Sequence, residues 1–296
     1  MSHKRARTKI AVFLGLTFAF SFALEGWMAW THSMRWVAVL MWIPGVVAIF
    51  CRVVFREGVS DISLRIPRQG GTSWALAWLA PVCVGGVAYG FAWAAGLAHF
   101  AIPNAGVLED SNGVLRFLVR LVGMLTLGTL IGALYALGEE LGWRGYLLTR
   151  LIDAEVPYPV FFSGVIWAAW HVPLILSGEY ASSAHPWLSV AFFTVDVIAI
   201  TYVITFVRLA TGSVWSAVLF HAAWNAVIQG CFDYFTHDMT SEHGNFWVGE
   251  SGAIVAVTSA LFAAGLWFYR GRHLLAQARE GQGAISSGAR SSATVM

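Results

Sequence analysis

Charge is scarce in this chain. Only 11% of its 296 residues are Asp, Glu, Lys or Arg, against 58% hydrophobic, a balance that excludes a solvated globular domain of ordinary composition. Three cysteines, Cys51, Cys83 and Cys231, form no CxxC pair and supply no disulfide framework. There is no nucleotide-binding glycine loop, no soluble domain and no repeat. The basic ends suit anionic lipid rather than nucleic acid, so the bilayer is an expected partner and nucleic acid is not.

What the chain does have is long apolar runs. Eight can be marked: Ile10 to Trp30, Trp36 to Phe55, Ser73 to Ala95, Phe117 to Leu137, Tyr158 to Leu176, Trp187 to Val207, Ser213 to Gln229 and Ala253 to Tyr269. Each is near the roughly 17 to 25 residues that cross a bilayer as a helix, and too long and uniformly apolar for barrel strands. The expectation is an all-α, polytopic membrane helical bundle of about eight transmembrane helices. One integral membrane domain takes in 1–277, its motif-bearing core lies at about 117–229, and the Ser-, Gly- and Ala-rich tail 278–296 is expected to be disordered. With both termini in the cytoplasm, 15 of the 18 basic residues fall on that side and only Arg35, Arg116 and Arg120 fall outside, as the positive-inside rule requires. Residues Asp233, Asp238, Glu242 and Glu250 then lie opposite. The first run, with its basic start and Ser21-Phe22-Ala23, also resembles a cleavable signal segment, but it continues through Trp27 and Trp30.

Ionisable groups at bilayer depth are costly and mark functional sites by default. Glu140 and Arg144 are four apart in "EELGWRGYLL", so they can pair on one helix face, while Glu139 is turned away by about 100° and is left free. A carboxylate in such a place suits general acid or base work; the bland reading is a solvated helix end. In "WAAWHVPL", His171 follows Trp167 by four and is either a packing histidine or a functional one. His221 and Asn225 share a face, and could bond one another, hold an oxygen between them, or act as interhelical glue. Counted from the cytoplasmic helix ends, the four groups lie about 12 to 21 Å deep, in one layer. Among the other acids, Asp196 should find a structural partner, with the Thr194 and Thr201 hydroxyls nearby, or else touch substrate. Glu25, nearer the outer end, should meet headgroups.

At these residues the sequence resembles the CPBP intramembrane proteases, which include the CAAX prenyl endopeptidases and their bacterial Abi relatives. The family pattern is a Glu-Glu followed after three residues by Arg, an aromatic-x-x-x-His, and a His-x-x-x-Asn on separate helices. Here it reads Glu139-Glu140 with Arg144, Trp167 with His171, and His221 with Asn225, over roughly Gly138 to Ile228. Thr149 stands where many relatives have proline. The resemblance implies an endopeptidase acting on a membrane-associated protein or peptide, and the abundance of Ala, Gly, Trp and Arg is compatible with the inner membrane of a bacterial cell. In it Glu139 and His171 would activate water, His221 and Asn225 stabilise the oxyanion, and Glu140 and Arg144 support them. Trp167 and Asp196 are the candidates for substrate contact, and the cavity is expected to open to the cytoplasm.

No cofactor is expected. The alternative is zinc on Glu139, His171 and His221, which is disfavoured because the sequence shows no outer partner for either histidine. Two rival functions are a non-enzymatic binder, such as a bacteriocin self-immunity factor, and a secondary transporter. The transporter is opposed by the lack of an inverted repeat and by the clustering of polar residues in one half of the chain.

Overall fold

The computed structural model describes residues 3–66, 70–103, 111–183, 185–237 and 244–280. Arg68, Asp238, Glu242, Arg290 and the tail from 281 lie outside the described residues. The chain is all-α, and it is a multi-pass membrane protein. The helices are α1 (His3–Thr31), α2 (Val37–Val54), α3 (Gly71–Ala94), α4 (Gly113–Gly123), α5 (Thr129–Gly142), α6 (Leu148–Asp153), α7 (Pro159–Leu176), α8 (Pro186–Thr211), α9 (Val214–Val227), α10 (Gly244–Trp247) and α11 (Ala253–Leu266). Two strands of two residues each, His99–Phe100 and Thr236–His237, pair antiparallel and tie the segment after α3 to the end of the α9 segment. A helix beyond α11 runs to Glu280, three residues past the expected start of the tail.

Among the described residues, seven helices are long and apolar enough to cross a membrane. They correspond to seven of the eight runs. The run from Ser213 differs because His221, Asn225 and Gln229 dilute its apolar character; it forms α9, which packs against α3, α5 and α8. Nearly all of α9 is buried, so its environment is protein more than lipid. The fourth span is longer than the run predicted, since α4, α5 and α6 form one continuous 41-residue rod from Gly113 to Asp153. The first run is a member of the bundle: Phe13 of α1 packs on the rings of Trp143 and Tyr146 at 6.0 and 5.0 Å.

The long rod is helical but not uniform. π-helical turns at Met124–Gly128 and Trp143–Leu147 interrupt it, and a third, Ile228–Phe232, follows α9. A π turn shifts the i→i−4 ladder and disturbs carbonyl pairing, which lipid would not remedy. Here side chains from other segments supply the donors. Trp78 Nε1 donates to the Leu125 carbonyl at 2.7 Å, Arg52 Nη2 to that of Gly145 at 2.8 Å and Arg120 Nε to that of Gly230 at 2.6 Å.

Helices α2 and α5 approach at backbone distance. A Cβ on Gly138 would lie 2.7 Å from the Met41 carbonyl oxygen, and one on Gly142 would lie 2.4 Å from Pro44 Cβ. Gly138 and Gly142, four apart, form a small-xxx-small face of the kind that lets membrane helices close without a hydrophobic driving force. The glycines around the two glutamates therefore seat α5 on α2. Gly145 has room, its nearest neighbour in such a test being 3.5 Å away.

Replacing Gly142 by Ala should cost about 1 to 3 kcal/mol through overpacking. Gly145→Ala should be nearly neutral. Thermal unfolding of the two variants in one detergent separates them, and equal melting temperatures would refute the close-packing role.

Candidate active site

Glu139 and Glu140 lie in the last turn of α5, just before the π turn at Trp143–Leu147. Glu140 faces α9. Its Oε1 accepts from Arg144 Nη1 at 2.8 Å and from His221 Nδ1 at 2.9 Å. Both side chains of the Glu140–Arg144 pair are fully buried. Arg144 Nη2 donates to Thr201 Oγ1 on α8 at 3.1 Å, and its guanidinium lies 4.1 Å from the Trp167 ring of α7. One ion pair thus touches four helical segments. The expectation of an i,i+4 pair beside a freer Glu139 holds. Of the arrangements open to His221 and Asn225, the mutual bond is not the one formed: His221 spends Nδ1 on Glu140 of another helix.

Glu139 is held differently. Its Oε2 accepts from two indoles, Trp167 Nε1 at 2.7 Å and Trp143 Nε1 at 3.3 Å. No described residue donates to Oε1, and Glu139 lines a cavity between the helices. His171, His221 and Asn225 line the same cavity, so the layer inferred from helix depth is physically assembled. His171 Nδ1 lies 2.9 Å from the Trp167 carbonyl. A carbonyl can only accept, so Nδ1 carries the proton and Nε2 keeps its lone pair. Its ring sits among Trp170, Tyr180 and Phe193.

Each histidine therefore has an outer partner, Trp167 for one and Glu140 for the other. This removes the earlier argument against zinc. The arrangement still does not fit an ion, because among the described residues no three His, Cys, Asp or Glu groups converge closely enough to hold one.

Two acids depart from expectation. Thr194 and Thr201 turn their hydroxyls back to the carbonyls of Val190 and Val197, each at 2.7 Å, the usual i−4 bond of a helical threonine. Asp196 gains nothing from them; it is 1% exposed and lines the cavity with neither oxygen hydrogen-bonded. Glu25 does not meet headgroups, because α1 turns it inward; it is fully buried on the cavity wall, again without a partner.

Sequence reasoning missed Trp143, Tyr180 and Glu250. Trp143 is four residues after Glu139, so helical spacing could have flagged it. Glu250 accepts from Trp224 Nε1 at 2.9 Å, from Gln229 Nε2 at 3.0 Å and from the Tyr180 hydroxyl. No local signal joins those three segments. Burial and the adjacent Glu250 carboxylate push the Tyr180 hydroxyl well above the ordinary tyrosine pKa, so it remains a donor.

The cavity lining reaches helix ends opposite the basic ones. It includes Met34 and Val37 before and at the start of α2, Leu174 near the end of α7, Tyr180 in the α7–α8 connection and Glu250 before α11. The opposite helix ends carry a network in which Lys9 pairs with Glu57 at 2.5 Å and Arg52 with Asp61 at 2.6 Å. Arg150 joins Asp61 and Asp153, and Arg208 Nη2 donates to the Asp61 carbonyl at 2.9 Å. Depth counting locates a layer between helix ends; it does not say at which end the walls part.

Glu139, two histidines and an asparagine thus meet on one cavity lining in a multi-pass protein, with Glu140 behind them. Residues 119–227 match the family model of the type II CAAX prenyl endopeptidase Rce1-like proteins, a span that contains every motif residue named above. Over that segment, somewhat more than a third of the chain, the protein is similar to the CAAX-type intramembrane proteases. No curated protein matches the chain.

Arg144→Met strands a buried Glu140 and should cost about 3 to 5 kcal/mol. Adding Glu140→Gln should restore part of that loss. The pair of melting temperatures checks it; a double variant no more stable than the single one would show that the charge balance is not what Arg144 supplies.

Proposed function

We propose that the chain is an endopeptidase in which Glu139 is the general base on water. The observation that carries this reading is the split use of its carboxylate, with Oε2 fixed by two indole N–H groups and Oε1 left on the cavity wall. A base must be held in place and still offer a lone pair to the reacting water. Both conditions are met by one side chain.

Water lying between Glu139 Oε1 and His171 Nε2 gives its proton to Glu139 as its oxygen attacks the peptide carbonyl. Glu139 then returns that proton to the departing amine. The developing oxyanion is met by the Asn225 amide N–H and by His221. Two carboxylates and one guanidinium leave one negative charge at the site, which a doubly protonated His221 offsets. With Nδ1–H donating to Glu140, its Nε2–H is the second oxyanion donor. Glu140 and Arg144 position His221 and do not touch the substrate. No step runs through a metal, in keeping with the scattered donor set.

The self-immunity and transport roles draw no support from the family match. The substrate is a membrane-associated protein or peptide. By the asymmetry of its basic residues the protein sits in the cell membrane with its basic end in the cytoplasm, so the cavity faces the other side.

Glu139→Gln should abolish turnover, and Asn225→Ala should lower kcat about 10²- to 10³-fold. Protein N-termini are compared in membranes from cells with the native chain and with Glu139→Gln at equal expression; identical termini would sink the protease reading. Orientation is checked in intact cells with an impermeant maleimide on a cysteine-free background. Trp187→Cys should label and Tyr158→Cys should not, both positions being exposed; the reverse pattern would place the opening in the cytoplasm.

A further inference from the structure

The cavity contains more acid than the proposed chemistry uses. Beside Glu139, its wall carries Glu25, Asp196 and Glu250, and it includes no lysine or arginine. Glu250 is satisfied by Trp224, Gln229 and Tyr180. Asp196 and Glu25 are not: all four of their oxygens are buried without a hydrogen bond of standard geometry, and the polar neighbour of Asp196 is the Ser259 hydroxyl. Carboxyl groups left unpaired in an apolar bundle carry a heavy desolvation cost, and membrane proteins retain such groups where a substrate or ion completes them.

The surroundings say which kind. Asp196 interacts electrostatically with Glu250, and the Tyr180 hydroxyl feels Glu250, Glu139 and Asp196 together. Asp196 therefore shares a neighbourhood with the reacting carboxylate. Trp170, Phe193 and Trp224 add ring surface to the same wall, suited to the stem and charge of a long cationic side chain. The four carboxyl groups on the lining outnumber its one protonated histidine, His221, and none of the lining residues is Lys or Arg.

Resting on the endopeptidase reading, we propose that this cavity selects a peptide with a lysine or arginine near the scissile bond, with Asp196 as its principal counter-charge and Glu25 on the same lining as a second. Asp196 and Glu25 are then specificity residues, outside the proton transfers assigned to Glu139.

The test uses the full chain in detergent and two blocked, fluorescent peptides identical except for one lysine or its uncharged acetyl-lysine. Binding is read by anisotropy on the Glu139→Gln protein, so that it does not depend on turnover. The lysine peptide should bind at least about tenfold more tightly, the scale of a charge-assisted hydrogen bond. Asp196→Asn, near-isosteric, should remove most of that preference while leaving acetyl-lysine binding unchanged, and Glu25→Gln should remove a smaller share. Equal binding of the two peptides, no binding of either, or an equal loss for both on Asp196→Asn overturns the proposal; the first two comparisons need no variant at the acidic positions. Turnover on the native chain separates the two readings. A lysine preference in binding without cleavage by native protein leaves the recognition site standing and removes the protease.

Discussion

The Glu140 carboxylate is the joint on which the site depends. It is fully buried, and one of its oxygens serves both Arg144 in the adjoining π turn and His221 on α9. Through Arg144 the connection continues to Thr201 on α8 and the Trp167 face on α7. Neither partner alone would compensate a carboxylate at this depth. The requirement that all three groups meet fixes the placement of α5, α9 and α8 relative to one another, and so the width of the cavity between them.

The same constraint explains the backbone. α5 must come close to α2, which Gly138 and Gly142 allow. The i,i+4 spacing of the helix then brings Trp143 to Glu139 and Arg144 to Glu140, and the π turn begins at those two residues. The disturbed carbonyl at Gly145 is answered by Arg52, which belongs to the ion network at the basic end. Loop 55–66 is thereby coupled to the base of the site by a short chain of hydrogen bonds.

Much of this was legible in the sequence, for physical reasons that apply locally. Helix period brings Glu140 to Arg144 and turns Glu139 away. Run length against bilayer thickness gives the spans, and depth counting places His171, His221 and Asn225 in one layer. What needed coordinates was the pairing between distant segments. His221 could equally have bonded Asn225 as Glu140, and Tyr180, Trp224, Gln229 and Glu250 are separated by as many as 70 residues. Asp196 shows the limit most clearly. Its neighbouring threonines were available on paper, but in a helix each prefers the carbonyl one turn back. The side on which a cavity opens is likewise set by where helix ends splay, which composition does not encode.

The two tryptophans that hold Glu139 have a consequence for how the site responds to its medium. An indole N–H neither gains nor loses a proton across the range in which enzymes work. The aim of the carboxylate is therefore fixed whether it is charged or neutral. Acidification changes the state of the base without moving it. Direction and reactivity at Glu139 are set by separate parts of the structure.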